Sequence, residues 1–356
     1  MKVCIIGDGL VSLTLANVLI QKDIFVDILR AKKRNNYDQS RTLGISKSNI
    51  NYFNNEIINI KKIYWEIKRI KIYSEKNIKK EMIKFDNGNK QIFSIIRNYQ
   101  LQKLLIKKLK SSKFTKFKSN PNIDKSKYKL VINCDKTHPY TKKFFSKTIE
   151  KKYNSYAYTT TIIHTKLENN TAFQNFTNNG PIAFLPISDI ETSIVYSLRS
   201  FTKKGNSEMN NLIKKYNPIY SIKKINNWNS FELKSSSLRN YYNGNILAFG
   251  DLLHRIHPLA GQGFNMSLRD IKLLSSLIDE KMALGLDLDF SICQEFEKKS
   301  QDKNYIFSTS IDWIYELFNL ERRVNSKILN KSIDLIGNNK IVNTILKKFA
   351  DNGIRI

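Results

Sequence analysis

The stretch 244–270, GNILAFGDLLHRIHPLAGQGFNMSLRD, constrains the fold more than any other part of the chain. Ile246, Leu247, Ala248 and Phe249 form a short apolar run suited to a buried strand, and Gly250-Asp251 ends it. A loop with His254, His257 and Pro258 follows and turns on Gly261-Gln262-Gly263. Phe264, Leu268, Ile271, Leu274 and Ile278 then recur at helical spacing, which predicts a helix to about Asp279. This order of elements suits a ligand. A carboxylate just past a strand accepts hydrogen bonds from hydroxyls, and glycines let backbone approach a flat ring. A helix N-terminus presents free N–H groups and a positive dipole end to an anion. An ordinary strand–loop–helix connection uses the same residue types, so the motif alone leaves both readings open.

A second unit of this kind opens the chain. Lys2 to Gly7 reads as a buried strand, Gly7-Asp8-Gly9-Leu10-Val11-Ser12 as a turn, and the residues to about Gln21 as a helix. Phe25 to Leu29 is the next strand, giving the strand–turn–helix–strand order of a dinucleotide-binding fold. Gly7 would make the tight turn, and Gly9 would let the backbone approach a diphosphate at the helix N-terminus. Ser12 stands where a third glycine is usual. Arg30 stands at the strand end, where a carboxylate normally binds ribose hydroxyls, and Asp27 falls inside the strand, out of register. A guanidinium has no acceptor, so the adenosine end of a dinucleotide would be held differently here.

The chain has 356 residues and a net charge of +29, from 60 Lys+Arg against 31 Asp+Glu. Such an excess suits nucleic acid or an anionic membrane. The lysines are spread along the whole chain, however, and no zinc spacing or base-reading helix accompanies them, so nucleic acid is not expected. The first apolar run is assigned to the fold, not to a leader, and no apolar stretch is long enough to span a membrane. Cys4, Cys134 and Cys293 are an odd count, read as free thiols in a reducing compartment.

Further strands are expected at Tyr64–Tyr73, Glu81–Phe85, Lys129–Asn133, Tyr156–Ile163, Ala172–Phe176, Gly180–Pro186 and Ile194–Leu198, with a hairpin turn at Asn87-Gly88. Helices are expected over Ser46–Phe53, in the later part of Phe93–Lys110 and through 289–356. Within the last region, Tyr305–Leu320 carries an apolar helical stripe, read as core in preference to a membrane-facing surface. Lys340–Ile356 is amphipathic and basic.

The run GDLLHRIHPLAGQGFNMSLRD resembles the third flavin motif of the p-hydroxybenzoate-hydroxylase superfamily, in the version carried by ubiquinone-biosynthesis FAD-dependent hydroxylases. The matching positions are Gly250, Asp251, His254, His257, Pro258, Gly261, Gln262, Gly263, Asn265, Arg269 and Asp270. Ser40–Ser46 is similar to the family segment whose arginine meets the flavin end, which makes Arg41 the counterpart. Asn98–Gln102 resembles its NxxLQ phrase, with Gln102 toward the cofactor. Gly180–Pro186 resembles its GPxAxLP phrase. Asp135 is kept from an Asp-Gly pair, while Lys136 replaces the glycine, Lys142 replaces an arginine, and Gln174 and Asn175 stand for Glu and Arg.

The resemblance implies an α/β chain with α+β lobes: a Rossmann-like FAD-binding domain (1–60, 92–152 and 238–300), a β-sheet substrate domain (61–91 and 153–237) and C-terminal helices (301–356). It implies a class A flavin monooxygenase that hydroxylates the ring of a polyprenylated phenol in ubiquinone biosynthesis with O2, through a flavin C4a-hydroperoxide. NAD(P)H or another electron donor would reduce the FAD. The residues implied at the cofactor are Gly7, Gly9, Leu10, Val11, Arg41, Gln102, Asp251, Pro258, Gly261, Gly263, Phe264 and Asn265. No protein nucleophile is assigned. His257 and Pro258 are the catalytic candidates, with a loop-structuring histidine as the simpler role. A cytoplasmic protein is implied, with peripheral contact on the inner membrane or a place in a biosynthetic complex left open. Two other readings stand beside this one: a reductase of the same fold, and a scaffold that has lost FAD, for which Ser12, Arg30 and Lys136 speak.

Overall fold

Strands buried on both faces need uninterrupted apolar sequence, and Val3–Ile6, Val131–Ile132 and Ile246–Ala248 supply it. In the computed structural model, residues 1–30, 40–75, 81–86, 88, 90–119, 123–200, 202–257 and 261–323 are described. The first sheet has the strand order Tyr242–Asn243, Ile246–Ala248, Leu130–Asn133, Lys2–Ile6, Phe25–Leu29, Thr115–Lys118. All neighbours are parallel except the first pair. The helices Leu10–Ile20, Asn98–Lys110 and Gln262–Ala283 share its core. Phe249 N donates to Asn133 O at 2.9 Å, Cys134 N to Ile6 O at 2.9 Å and Gly7 N to Leu29 O at 2.8 Å. The C-terminal ends of four adjacent strands are thereby level. In open parallel sheets this is the edge where ligands bind.

Nine strands form a second sheet, ordered His254–Arg255, Asn229–Leu238, Thr148–His164, Glu191–Arg199, Gly180–Pro186, Thr171–Thr177, Arg69–Ser74, Ile83–Asp86, with Ile222–Ile225 also on Thr148–His164. Side chains alternate across it. Tyr158, Ile162, Ile182, Phe184, Ile194 and Tyr196 pack one face against Met209, Ile213 and Tyr216 of the helix Asn206–Tyr216. Ala157, Thr159, Thr161, Ser193, Val195 and Ser197 alternate onto the other face. Thr159 Oγ1 meets Ser40 Oγ at 3.0 Å and Ser193 Oγ meets Thr42 Oγ1 at 2.8 Å, so that face looks toward the first half of the molecule. A three-stranded sheet, Thr42–Ser46, Phe93–Arg97 and Tyr64–Ile67, stands between them.

Several elements differ from expectation. Tyr64–Tyr73 is two strands, Tyr64–Ile67 and Arg69–Ser74, in different sheets. The break falls at Lys68, where the amides of Lys68 and Arg69 share the Asn170 carbonyl. The strand expected at Tyr156 begins at Thr148, because a charged, exposed extension pairs with Ser235–Leu238 across a register shift. Helix Asn206–Tyr216 was not expected; its apolar stripe is only Met209, Ile213 and Tyr216. The long helix is Phe290–Arg323, and Lys340–Ile356 lies outside the described residues. Phe307, Ile311 and Tyr315 bury one side of it, whereas Trp313, expected in the same stripe, is 70% exposed.

Asp27 is not a misplaced ribose ligand but a buried charge with its own partners. Its carboxylate accepts from Tyr128 Oη at 2.7 Å and pairs with Lys118 Nζ at 2.6 Å and Lys2 Nζ at 3.0 Å. Burial raises its pKa, but Lys118, Tyr128 and Lys2 together hold it below the usual carboxylate value. A depressed carboxyl pKa stabilises the fold above the unfolded value, and that contribution is lost as pH falls. Asp27→Ala should cost about 3 kcal/mol at neutral pH by stranding the cations and the phenol, and should flatten the loss of stability below about pH 4. Urea unfolding at pH 7 and pH 3.5 measures both; a loss under about 0.5 kcal/mol at pH 7 would mark the cluster as surface-like.

Candidate cofactor site

The level strand ends gather the first group of expected residues. Gly7 has φ +102°, and a Cβ there would sit 3.5 Å from Ser12 Oγ and 3.6 Å from the Asp135 Cβ. Gly9 caps the helix Leu10–Ile20 without a side-chain hydrogen bond, and a Cβ on it would meet nothing within 4 Å. The first turn of this helix carries no acidic residue. A helix start with no acidic side chain and with room at its cap is what an anion requires. Leu10 and Val11 are half-buried against the core. Gly250 has φ +64°, and a Cβ on it would come within 3.0 Å of Val11 Cγ1, so the turn before Asp251 rests directly on the first helix. Gln102 Nε2 donates to Asp8 O at 3.3 Å and ties the helix Asn98–Lys110 to the same turn. Asp251 is exposed beside them, in the short 3-10 turn Gly250–Leu252.

The second group forms around the N-terminus of Gln262–Ala283. Gly261 caps it with φ +64°, and a Cβ there would be 3.2 Å from Gly44 N, so the helix start lies close against the strand Thr42–Ser46. Asn265 fixes that approach. Its Oδ1 accepts from Ser46 N at 3.0 Å and Asn49 Nδ2 at 2.9 Å, and its Nδ2 donates to Gly44 O at 2.8 Å. The Asn265 side chain is therefore a fastener, leaving backbone to line the site. Phe264 points into the core, its ring 6.2 Å from Phe53. Gly263 has only an ordinary 4.0 Å neighbour, Ile256, at its Cβ position. Arg41 enters the same strand; its guanidinium lies 5.5 Å from the Phe231 ring and its carbonyl accepts from Asn98 N. Pro258 lies outside the described residues. The helices Leu10–Ile20 and Gln262–Ala283 pack on each other, so both groups stand on one packed framework, and the space they border is the candidate cleft.

Neither histidine of the motif faces that cleft with a free nitrogen. His254 Nε2 meets Asp270 Oδ2 at 2.5 Å, both buried, and Asn304 Nδ2 holds the other carboxylate oxygen at 3.0 Å. His257 is 1% exposed, stacked 4.3 Å from the Tyr315 ring and edge-on to Tyr153 at 5.0 Å. Both its nitrogens lack partners among the described residues. Burial, with help from Lys151 and against Glu316, pushes its pKa down to about 3. The loop before Pro258 is thereby pinned to the long helix, an attachment reinforced by Tyr153 Oη donating to Asp312. Sequence reasoning missed Asn49, Asp8 and Asn304, since they act through polar contacts that no periodicity records.

Residues 201–283 match the family described as FAD binding domain. Among curated proteins, the chain is 24% identical over 206 residues to ubiquinone biosynthesis monooxygenase COQ6, mitochondrial, of Dictyostelium discoideum (47% of this chain, 42% of the relative). It is 28% identical over 192 residues to the Danio rerio protein of the same name (42% and 40%). It is 25% identical over 201 residues to 3-demethoxyubiquinol 3-hydroxylase of Escherichia coli (53% and 51%). The matches thus span about half the length of these relatives or less. Among solved structures, p-nitrophenol 4-monooxygenase PnpA from Pseudomonas putida superposes with a TM-score of 0.77 at 13% identity, covering 99% of this chain and 98% of that one. HpxO of Klebsiella pneumoniae, solved with FAD and uric acid, gives 0.73 at 12% identity, covering 98% and 97%. The fold read from the sequence and the resemblance to the flavin hydroxylases are both borne out.

A histidine kept uncharged by burial destabilises the fold as pH drops, because the unfolded chain takes up its proton near pH 6.5 and the folded one only near 3. His257→Phe, which keeps an aromatic ring, should therefore lose less melting temperature than the wild type between pH 7 and pH 5. Equal losses in a pair of scanning-calorimetry series would show that His257 titrates freely.

Proposed function

We propose that this chain, which has the fold of the flavin monooxygenases it superposes on and matches the FAD binding domain family over residues 201–283, is an FAD-dependent hydroxylase of a phenolic quinone precursor. The observation that carries this reading is the convergence of Gly7, Gly9, Gly250 and Asp251 on the C-terminal strand edge, with Gly261 fastened beside it by Asn265. The residues fit the group. Open space at Gly9 above an uncapped helix start suits a diphosphate, and exposed Asp251 suits the ribityl hydroxyls.

Bound and reduced, FAD would supply the activation of O2 and the transfer of one oxygen atom to the ring. The chain's own part is placement. The N–H groups of Leu10 and Val11 would face the diphosphate, and Gln102 would steady the turn that presents them. Backbone from Gly261 to Asn265 would line the isoalloxazine, and the dipole of Gln262–Ala283 would favour negative charge on it. Arg41 would close the flavin end. The sheet face of Thr159, Thr161 and Ser193 would shield the ring from water and hold the phenol. We divide the chain accordingly into a cofactor domain (1–60, 92–152 and 238–300), a sheet domain for the substrate (61–91 and 153–237) and the C-terminal remainder (301–356), helical over its described part to Arg323. The names of the relatives support ubiquinone biosynthesis as the setting and a polyprenylated phenol as substrate. The net charge of +29 and exposed Tyr305, Ile306 and Trp313 support peripheral contact with an anionic membrane. Among the described residues no helix is long and apolar enough to cross one.

Purified protein titrated with FAD should develop bound-flavin absorption at one cofactor per chain. Asp251→Ala should weaken binding about tenfold or more, as loss of a charge-assisted hydrogen bond does. Reduced holoprotein with a prenylated phenol should consume O2 and yield ring-hydroxylated product. Full flavin retention by Asp251→Ala would overturn its assignment, and double-bond reduction without O2 uptake would favour a reductase.

A further inference from the structure

Lys136 follows Asp135 at the end of the strand Leu130–Asn133, one strand over from Gly7 and next to the strand that leads to Asp251. The backbone there is held by its own contacts. Asp135 Oδ1 accepts from Thr137 N and Thr137 Oγ1 at 2.8 Å each, and Asp135 O accepts from Thr141 Oγ1 at 2.6 Å. Asp135 packs against Gly7. The turn therefore fixes where the lysine starts: at the cleft, between the Gly7–Gly9 loop and Asp251.

The charges around this point are unbalanced for an anionic ligand. Asp8, Asp135 and Asp251 all lie along the edge, and the diphosphate of a dinucleotide would bring further negative charge beside them. The helix N-terminus contributes only a partial positive charge. The ammonium of Lys136 interacts electrostatically with Asp251 and Glu150, and with Arg255 in the opposite sense. By area Lys136 is an exposed residue, yet crowding by protein atoms pushes its pKa down, with Asp251 working the other way. It is a cation at the rim of the cleft, able to swing on a flexible stem, and it forms no ion pair within 4.0 Å among the described residues.

We propose that Lys136 is a cofactor-binding residue: its ammonium pairs with the diphosphate of the bound dinucleotide, offsetting Asp8, Asp135 and Asp251 at the strand edge. This rests on the FAD reading above. Where a glycine would only give room, the lysine gives charge, and it offsets the missing carboxylate at Arg30 by strengthening the middle of the cofactor's grip. An ammonium acts on phosphate as a mobile point charge, so its effect will weaken with salt.

The test compares wild type, Lys136→Gln, Lys136→Gly and Lys136→Arg in the full chain, by flavin fluorescence titration with FAD and with riboflavin at low and high salt. Wild type and Lys136→Arg should bind FAD alike. Lys136→Gln and Lys136→Gly should bind it about tenfold more weakly at low salt, with the gap closing at high salt, while riboflavin affinity and melting temperature stay unchanged. Tighter FAD binding by Lys136→Gly would overturn the proposal and make the lysine a plug in the site. Equal FAD affinity in all four, or a parallel fall for riboflavin, would overturn it as well. If wild type itself binds no FAD, the failure is that of the flavin reading, and this inference falls with it.

Discussion

The cleft depends on the four hydrogen-bonding directions of the Asn265 carboxamide. One buried side chain receives two donors from 46–49 and donates to the carbonyl of Gly44, so a helix from late in the chain is fastened to a strand from early in it. Neither element can shift without leaving buried polar groups unpaired, at about 1–3 kcal/mol each. Lys272 extends the same network by donating to Asn49 Oδ1 at 2.7 Å. The close passage of Gly261 over Gly44 follows from this fastening, and so does the need for glycine at the first of these positions. What this wall of the cleft presents is then backbone, fastened from behind by the carboxamide.

The other wall obeys a different constraint. Its geometry comes from levelled parallel strands, and the register bonds at Gly7, Cys134 and Phe249 decide it. Gly250 lies on Val11 with no space for a methyl group, which couples the motif turn to the first helix. Asp251 cannot move independently of the N–H groups it accompanies. Two walls, one set by a carboxamide and one by strand register, are carried by the helices Leu10–Ile20 and Gln262–Ala283, which pack on each other.

Much of this was legible in the sequence because it is written in apolar runs and glycines. The strands at Lys2, Phe25, Leu130 and Ile246, and the helices at Leu10, Asn98 and Gln262, fall where periodicity put them. Helix Asn206–Tyr216 escaped because its interior stripe is sparse, although Glu208 in its first turn and Lys214 and Lys215 in its last are the charges a helix dipole favours. The two-strand break at Lys68 escaped because it depends on a carbonyl from Asn170, about a hundred residues away. Asp27 reads in the sequence only as a carboxylate inside the strand and out of register for ribose, since nothing local reveals that Lys118 and Tyr128 meet it. Buried polar networks join distant positions, and no short window of sequence contains both ends.

The departures from the flavin-hydroxylase pattern carry different weight once seen in place. Ser12 sits with its hydroxyl 3.5 Å from where a Gly7 side chain would begin, so a small residue there leaves the turn intact. Arg30 stacks its guanidinium 4.5 Å from the Phe117 ring, and its amide donates to Lys118 O, which continues the strand pairing past the position of the missing carboxylate. That end of the cleft thus offers a donor and a flat cationic plane instead of an acceptor. A guanidinium can still donate to ribose oxygens and can lie against a base. Neither replacement fills the space at Gly9 or disturbs the fastening at Asn265.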